Sequence, residues 1–207
     1  MKNLFFTVIL ALGLASVSYG QDKGNVEFGL NIGYNASSVQ VSRSYFQPDS
    51  RQSLNFGFAA DYYFSDRWSL KGKLIYDQKG WDNGSFEDAS GNFYLTDYNL
   101  NYLTVPVMAN WHFGSKRNWY LNFGPYVGFL MSAEETTGGV DVKEGFNSTD
   151  FGLALGIGVK IPVSDKLKIS LEYEGQGGGS EIFKENNSYR VSNTRSSLNV
   201  GVNFMLK

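Results

Sequence analysis

The 207-residue chain has no cysteine and one histidine. The missing cysteine excludes disulfides and thiol chemistry, and it leaves the redox compartment unreadable from composition. Charge is sparse as well. Only 18% of residues are charged, with 18 basic against 20 acidic, for a net charge of −2. That balance gives no electrostatic footprint for nucleic acid. Beyond the first twenty residues no apolar run reaches the ~18 residues that a membrane-spanning helix needs. What is abundant is glycine, 24 residues, with 16 Phe and 13 Tyr. A chain poor in charge and rich in glycine and aromatics reads as an all-β protein of many short strands.

The first twenty residues stand apart. Lys2 forms a short basic start, and Leu4 to Val17 is apolar or small. As a helix that stretch spans about 21 Å at ~1.5 Å per residue, short of a ~30 Å hydrocarbon core. Ser18 and Gly20 are small residues at −3 and −1 of a cut before Gln21. The pattern predicts a secretory signal peptide over 1–20 and a mature domain over 21–207. No cysteine follows the cut, which rules out a lipoprotein anchor.

Apolar residues then alternate with polar or small ones in eight segments, the signature of strands with two unlike faces. The first sets Val26, Phe28, Leu30, Ile32 and Tyr34 against Glu27, Gly29, Asn31, Gly33 and Asn35. The last sets Leu198, Val200, Val202, Phe204 and Leu206 against Ser197, Asn199, Gly201, Asn203 and Met205. Three joints are short: Ser65-Asp66-Arg67, Gly114 to Asn118, and Ser164-Asp165-Lys166. Four are long: Ala36 to Gln52, Gln78 to Asn99, Leu130 to Thr149, and Gly175 to Thr194. Short and long alternate, so an up-and-down sheet gathers the short turns at one end. A three-residue joint keeps the apolar face continuous, pairing Phe64 with Trp68 and Val163 with Leu167, and Ser and Asp suit such turns by bonding the backbone. This register sets Asp61 opposite Lys71 and Lys160 opposite Ser170.

Eight alternating strands close into a barrel, with the apolar face either inside, as in a soluble binding barrel, or outside against lipid. Three features favour lipid. The polar face is crowded with Gly, Ser and Asn, as a narrow interior requires. Aromatics fall at both ends of the apolar face: Phe64, Trp68, Trp111, Phe113, Trp119 and Phe204 by the short turns, and Tyr34, Tyr76 and Tyr173 by the long loops. Short turns at one end and long loops at the other match outer-membrane barrels. The expectation is an eight-stranded antiparallel up-and-down transmembrane β-barrel in the outer membrane, termini in the periplasm.

The segments "YLTVPVMANWHFG" (Tyr102 to Gly114), "WYLNFGPYVGFLMSA" (Trp119 to Ala133) and "FGLALGIGVKIPVSDKLKISLEYEG" (Phe151 to Gly175) resemble the PorT-like outer-membrane β-barrel family, whose architecture is shared with OmpX- and OmpA-type barrels. The resemblance covers nearly all of 21–207. It implies the barrel fold and does not carry over a role in secretion or gliding. Many such barrels end in an aromatic residue, whereas this chain ends Phe204-Met205-Leu206-Lys207.

Candidate chemistry is thin. Parity points His112 inward at the short-turn end, where it reads as a structural residue, not a catalytic one. The glycine run Gly175 to Ser180 lacks the Lys-Ser/Thr of a phosphate-binding loop and reads as a surface loop. Asp61, Lys71, Lys73, Lys160, Lys168, Glu172, Glu174 and Arg195 point inward and read as a salt-bridged plug, because an eight-stranded interior is just filled by side chains. The sequence therefore predicts no catalytic, cofactor or metal site. It predicts a monomer embedded in lipid, with a role in membrane integrity or in surface interaction, its long loops meeting an external ligand or protein. A small-solute channel and a soluble periplasmic lipocalin-like barrel are the alternatives.

Overall fold

The alternating segments become long antiparallel strands in the computed structural model, which describes residues 23–42, 48–87, 93–185 and 190–206. The proposed signal peptide lies outside the described residues. In chain order the strands are β1 Val26–Val41, β2 Arg51–Tyr63, β3 Trp68–Glu87, β4 Phe93–Phe113, β5 Trp119–Glu135, β6 Val140–Asp141, β7 Thr149–Pro162, β8 Leu167–Gly178 and β9 Val191–Leu206. β6 is a two-residue ribbon on β5. The other eight pair in chain order, and β1 pairs with β9 to close the ring.

The ladders fix the shape of that ring. From Val26 the register runs through Tyr62, Leu70, Ala109, Phe123, Leu155, Gly175 and Ser196 and returns to β1 at Ala36, ten positions on (36 − 26). A stagger of this size over eight strands tilts them by roughly 40° and leaves an interior that side chains can fill.

The faces separate cleanly. Leu30 is 67% exposed and Leu153 70%, whereas Glu174, Asp77 and Asn122 are wholly buried. A soluble barrel would need the reverse, because a continuous apolar wall in water is strongly unfavourable. At the short-turn end the outer wall carries linked rings, Trp68 on Trp111 at 6.4 Å, Trp111 on Phe113 at 5.1 Å and Phe113 on Trp119 at 6.5 Å.

The turns use the serine and not the aspartate. Ser65 Oγ accepts from the amides of Arg67 (3.3 Å) and Trp68 (3.0 Å), and Ser164 Oγ accepts from Leu167 (3.2 Å). Asp66 instead pairs with Arg117 of the next turn at 3.2 Å.

The long joints are shorter than the alternation suggested. β3 and β4 have 20 and 21 residues, and their ladder continues through most of the stretch expected to be a loop between Gln78 and Asn99. A membrane-spanning strand needs only about 9–11 residues. Past the apolar band both faces become mixed, so alternation fades while backbone pairing continues. Within the described part of that stretch, the backbone is held in a hairpin. A register shift between Trp81 and Gly84 shapes it, and a second at Asn101/Tyr102 shifts the neighbouring β4–β5 ladder. Below the first, Gly80 has φ +134°, and a Cβ there would lie 1.9 Å from Tyr98 O, so only glycine fits.

Candidate functional site: the filled lumen and the capped mouth

Inward-facing side chains build a connected charge system. At the short-turn end Lys160 Nζ meets Asp61 Oδ2 (2.8 Å), Tyr63 OH (3.0 Å) and Glu27, whose other oxygen takes Lys168 Nζ at 2.8 Å. Further along, Lys71 pairs with Glu172 (3.0 Å). Lys73 bridges Glu172 and Glu174, the latter at 2.5 Å. Arg195 joins Glu174 (2.5 Å) to Asp77 (3.2 Å), and Lys79 lies 3.9 Å from Asp77 and 3.2 Å from Asp150. The first group holds two carboxylates and two ammonium groups, and the second holds four acids and four bases. Each is neutral by itself, which buried charge requires.

All eight inward charges named from the sequence are buried here. The expected facing of Asp61 and Lys71 is present in the register, but it is not an ion pair. Asp61 takes Lys160 and Lys71 takes Glu172. The reason is geometric. β2 and β7 stand four places apart in the ring of eight, as do β3 and β8, so these pairs join opposite walls. In a narrow barrel a lysine reaches across the axis more readily than it folds back onto its ladder neighbour.

Four members were missed: Glu27, Asp77, Lys79 and Asp150. Charge balance was the available signal. The eight residues named earlier comprise five bases and three acids, an excess that a dry interior cannot hold. Glu27, Asp77 and Asp150 already stood on the polar face of their strands. Lys79 lay just past the point where alternation faded.

Packing leaves little room beside this network. A cavity of about 20 Å³ lies among Lys71, Lys73, Tyr120, Ser170 and Glu172, close to the volume of a single water. The inner-face glycines mark where long side chains cross. A Cβ on Gly158 would sit 2.4 Å from the Tyr120 ring.

His112 is wholly buried. Its Nε2 lies 3.0 Å from Ser69 Oγ, and Ser69 Oγ lies 2.6 Å from Asp61 Oδ1. The serine has one proton, which it donates to the carboxylate. The histidine must then donate to the serine oxygen and cannot act as its base. This order, histidine to serine to aspartate, is the wrong one for a nucleophile.

At the long-loop end the inner face turns apolar. Val39, Trp81, Tyr98, Leu100, Tyr102, Leu130, Ala133 and Val191 converge from five strands, and Phe146 and Ile182 fold in from the β6–β7 and β8–β9 connections. Phe146 bridges to Phe183, and Asn147 Nδ2 donates to Glu181 O (2.9 Å) and Phe183 O (3.0 Å), tying the two connections together. Sequence reading missed this cap, because most of these residues, among them Val39, Trp81, Tyr98, Phe146 and Ile182, lie in stretches that looked like polar loop.

Residues 18–175 match the family model described as outer membrane protein beta-barrel domain. Among solved structures the chain is similar to the outer membrane protein OprG from Pseudomonas aeruginosa, at 12% identity and TM-score 0.56, over 92% of this chain and 99% of that one. It is also similar to Neisserial surface protein A, at 17% identity and TM-score 0.53, over 88% and 99%. The outer membrane protein AlkL matches at 11% identity and TM-score 0.52, over 93% and 94%. Likeness at these identities speaks to the fold alone. No curated protein matches the chain.

Proposed function

The chain belongs to the outer membrane β-barrel family, and from that premise we propose a sealed outer-membrane scaffold whose activity lies in contacts made at its long-loop mouth. The carrying observation is the lumen, where ion pairs join opposite walls beneath an apolar cap. A solute path would have to break several of these pairs at once. Refolded protein in planar bilayers is expected to show no stable conductance steps. Steps of reproducible amplitude would overturn the sealed scaffold and favour a channel.

The reading includes no enzymatic role, which the direction of the His112–Ser69–Asp61 hydrogen bonds supports. It also includes a monomer in contact with outer-membrane lipid, which the closure of the eight long strands into a ring supports. Within the family, the three segments quoted above support a place among PorT-like barrels. A PorT-like sequence profile scoring this chain no higher than other eight-stranded families would remove that assignment.

We further infer that the short turns and both termini lie in the periplasm, as is general for such barrels. Trypsin added to intact cells should then cut after exposed Lys143 and Lys184 and spare exposed Arg67, Lys116 and Lys166. Cleavage at the three short-turn sites in sealed cells would invert the topology.

A further inference from the structure

Outside the apolar cap the long-loop end is hollowed by a cavity of about 380 Å³. Its walls are Tyr98 from β4, Val142 and Phe146 from the connection around the 3-10 turn Lys143–Gly145, and Phe183 from the β8–β9 connection, with Asp141 and Glu144 contributing carboxylates. The volume falls in the range of small-molecule sites. The rings belong to a fixed array. Phe146 and Phe183 are 4.9 Å apart, Tyr98 and Phe146 meet edge-on at 6.3 Å, and Trp81 stacks behind Tyr98 at 4.7 Å. The Lys184 amide bonds Gly145 O at 3.0 Å and holds the two connections in place. The cavity therefore needs little ordering on binding.

The electrostatics point one way. Glu144 makes no ion pair or hydrogen bond through its carboxylate among the described residues. Asp141 uses one oxygen on the Lys143 amide at 2.9 Å. Among the described residues no basic side chain lines the cavity, and the nearby Lys143 ammonium is turned away onto Met131 O at 2.8 Å. Aromatic faces attract cations through the negative charge density of their rings, and adjacent carboxylates strengthen the attraction. An anion would meet two like charges and no donor side chain other than a tyrosine hydroxyl. A purely apolar ligand would make no use of the two carboxylates at the rim, which a cation would.

We propose that this cavity binds an organic ammonium or guanidinium group with apolar shoulders, carried by a free amine or by a lysine or arginine side chain of a peptide. The inference rests on the reading above, in which the mouth is the working surface, and it names the ligand class of that surface.

The test uses the full barrel refolded in detergent and follows Trp81 fluorescence and calorimetric heat. The probes are choline, its neutral isostere 3,3-dimethylbutanol, and Nα-acetyl-lysine amide. Choline or the lysine amide should bind saturably, at least about tenfold more tightly than the neutral isostere. Glu144→Gln should weaken binding several-fold. This variant is expected to fold normally, because Glu144 is exposed and unbonded. Phe183→Ala should weaken it further. Binding of choline, alone or with the lysine amide, identifies a small-amine site, and binding of the lysine amide alone identifies a peptide side-chain site. Equal affinity for charged and neutral probes, no binding of either cation, or binding indifferent to Glu144→Gln would overturn the proposal. Conductance of the same preparation separates the two readings. A sealed barrel that binds no cation sinks this inference only, whereas a conducting barrel that binds choline sinks the scaffold and leaves the cavity standing.

Discussion

Asp61→Asn will destabilise the barrel by about 3–5 kcal/mol, the usual cost of removing one partner from a buried charge pair. The measurement is thermal or urea unfolding in detergent, followed by the gel shift between folded and unfolded forms. Asp61 is 2% exposed and accepts from Lys160, Ser69 and Asn110. Its loss leaves two ammonium groups against Glu27 alone. The second substitution then decides between two accounts. Asp61→Asn with Lys160→Met leaves Glu27 paired with Lys168, a neutral remnant, and much of the loss should return. Asp61→Asn with Lys71→Met leaves an excess positive charge in one group and an excess negative charge in the other, and it should be worse than the single change. The ladder register by itself would favour Lys71 as the rescuing site. Rescue at Lys71 and not at Lys160 would refute the cross-lumen pairing. A silent Asp61→Asn would mean that water already solvates the lumen.

Arginine at Leu155 or Ile157 should cost roughly 2–4 kcal/mol of insertion free energy near the bilayer midplane. These residues are 57% and 45% exposed on the apolar wall, in the middle of β7. Folding into lipid vesicles across a urea series gives the reading. Arginine variants that fold at the parent midpoint would mean that the wall does not face lipid. The choice of control matters. From alternation, Gly156→Ser looks mild, since it adds only a small hydroxymethyl group to the polar face. In the structure a Cβ on Gly156 would lie 2.5 Å from Asn122 Oδ1, and Asn122 itself donates to Glu172 at 2.8 Å. Serine there would push on the charge network. Gly72 lies on the apolar wall itself with nothing within 4 Å of its Cβ position, so Gly72→Ser is the better control, a small uncharged polar addition to that wall.

Much of this molecule is local information. Strand alternation has a period of two, so each segment of about ten residues declares its own two faces without reference to the rest of the chain. That is why the facing of Leu30 and Glu27, the joint lengths at Ser65 and Ser164, and the pairing of Asp61 opposite Lys71 were legible. Closure was legible too, because eight two-faced strands with alternating short and long joints have few other ways to bury one face and pair every edge.

Contacts across the ring are not local. Whether Lys160 meets Asp61 depends on the stagger of ten accumulated over all eight ladders, and no single hairpin contains that number. The cap is hidden for a second reason. Phe146 and Ile182 belong to connections without alternation, and their partners on β3, β4 and β5 lie where bulges at Trp81/Gly84 and Asn101/Tyr102 shift the register. The residue order therefore determined the strands, their faces and the turns, through short-range backbone geometry and burial. Tertiary structure alone decided which buried charges neutralise one another and which loop residues close the mouth, because those choices depend on how far side chains reach across a closed ring.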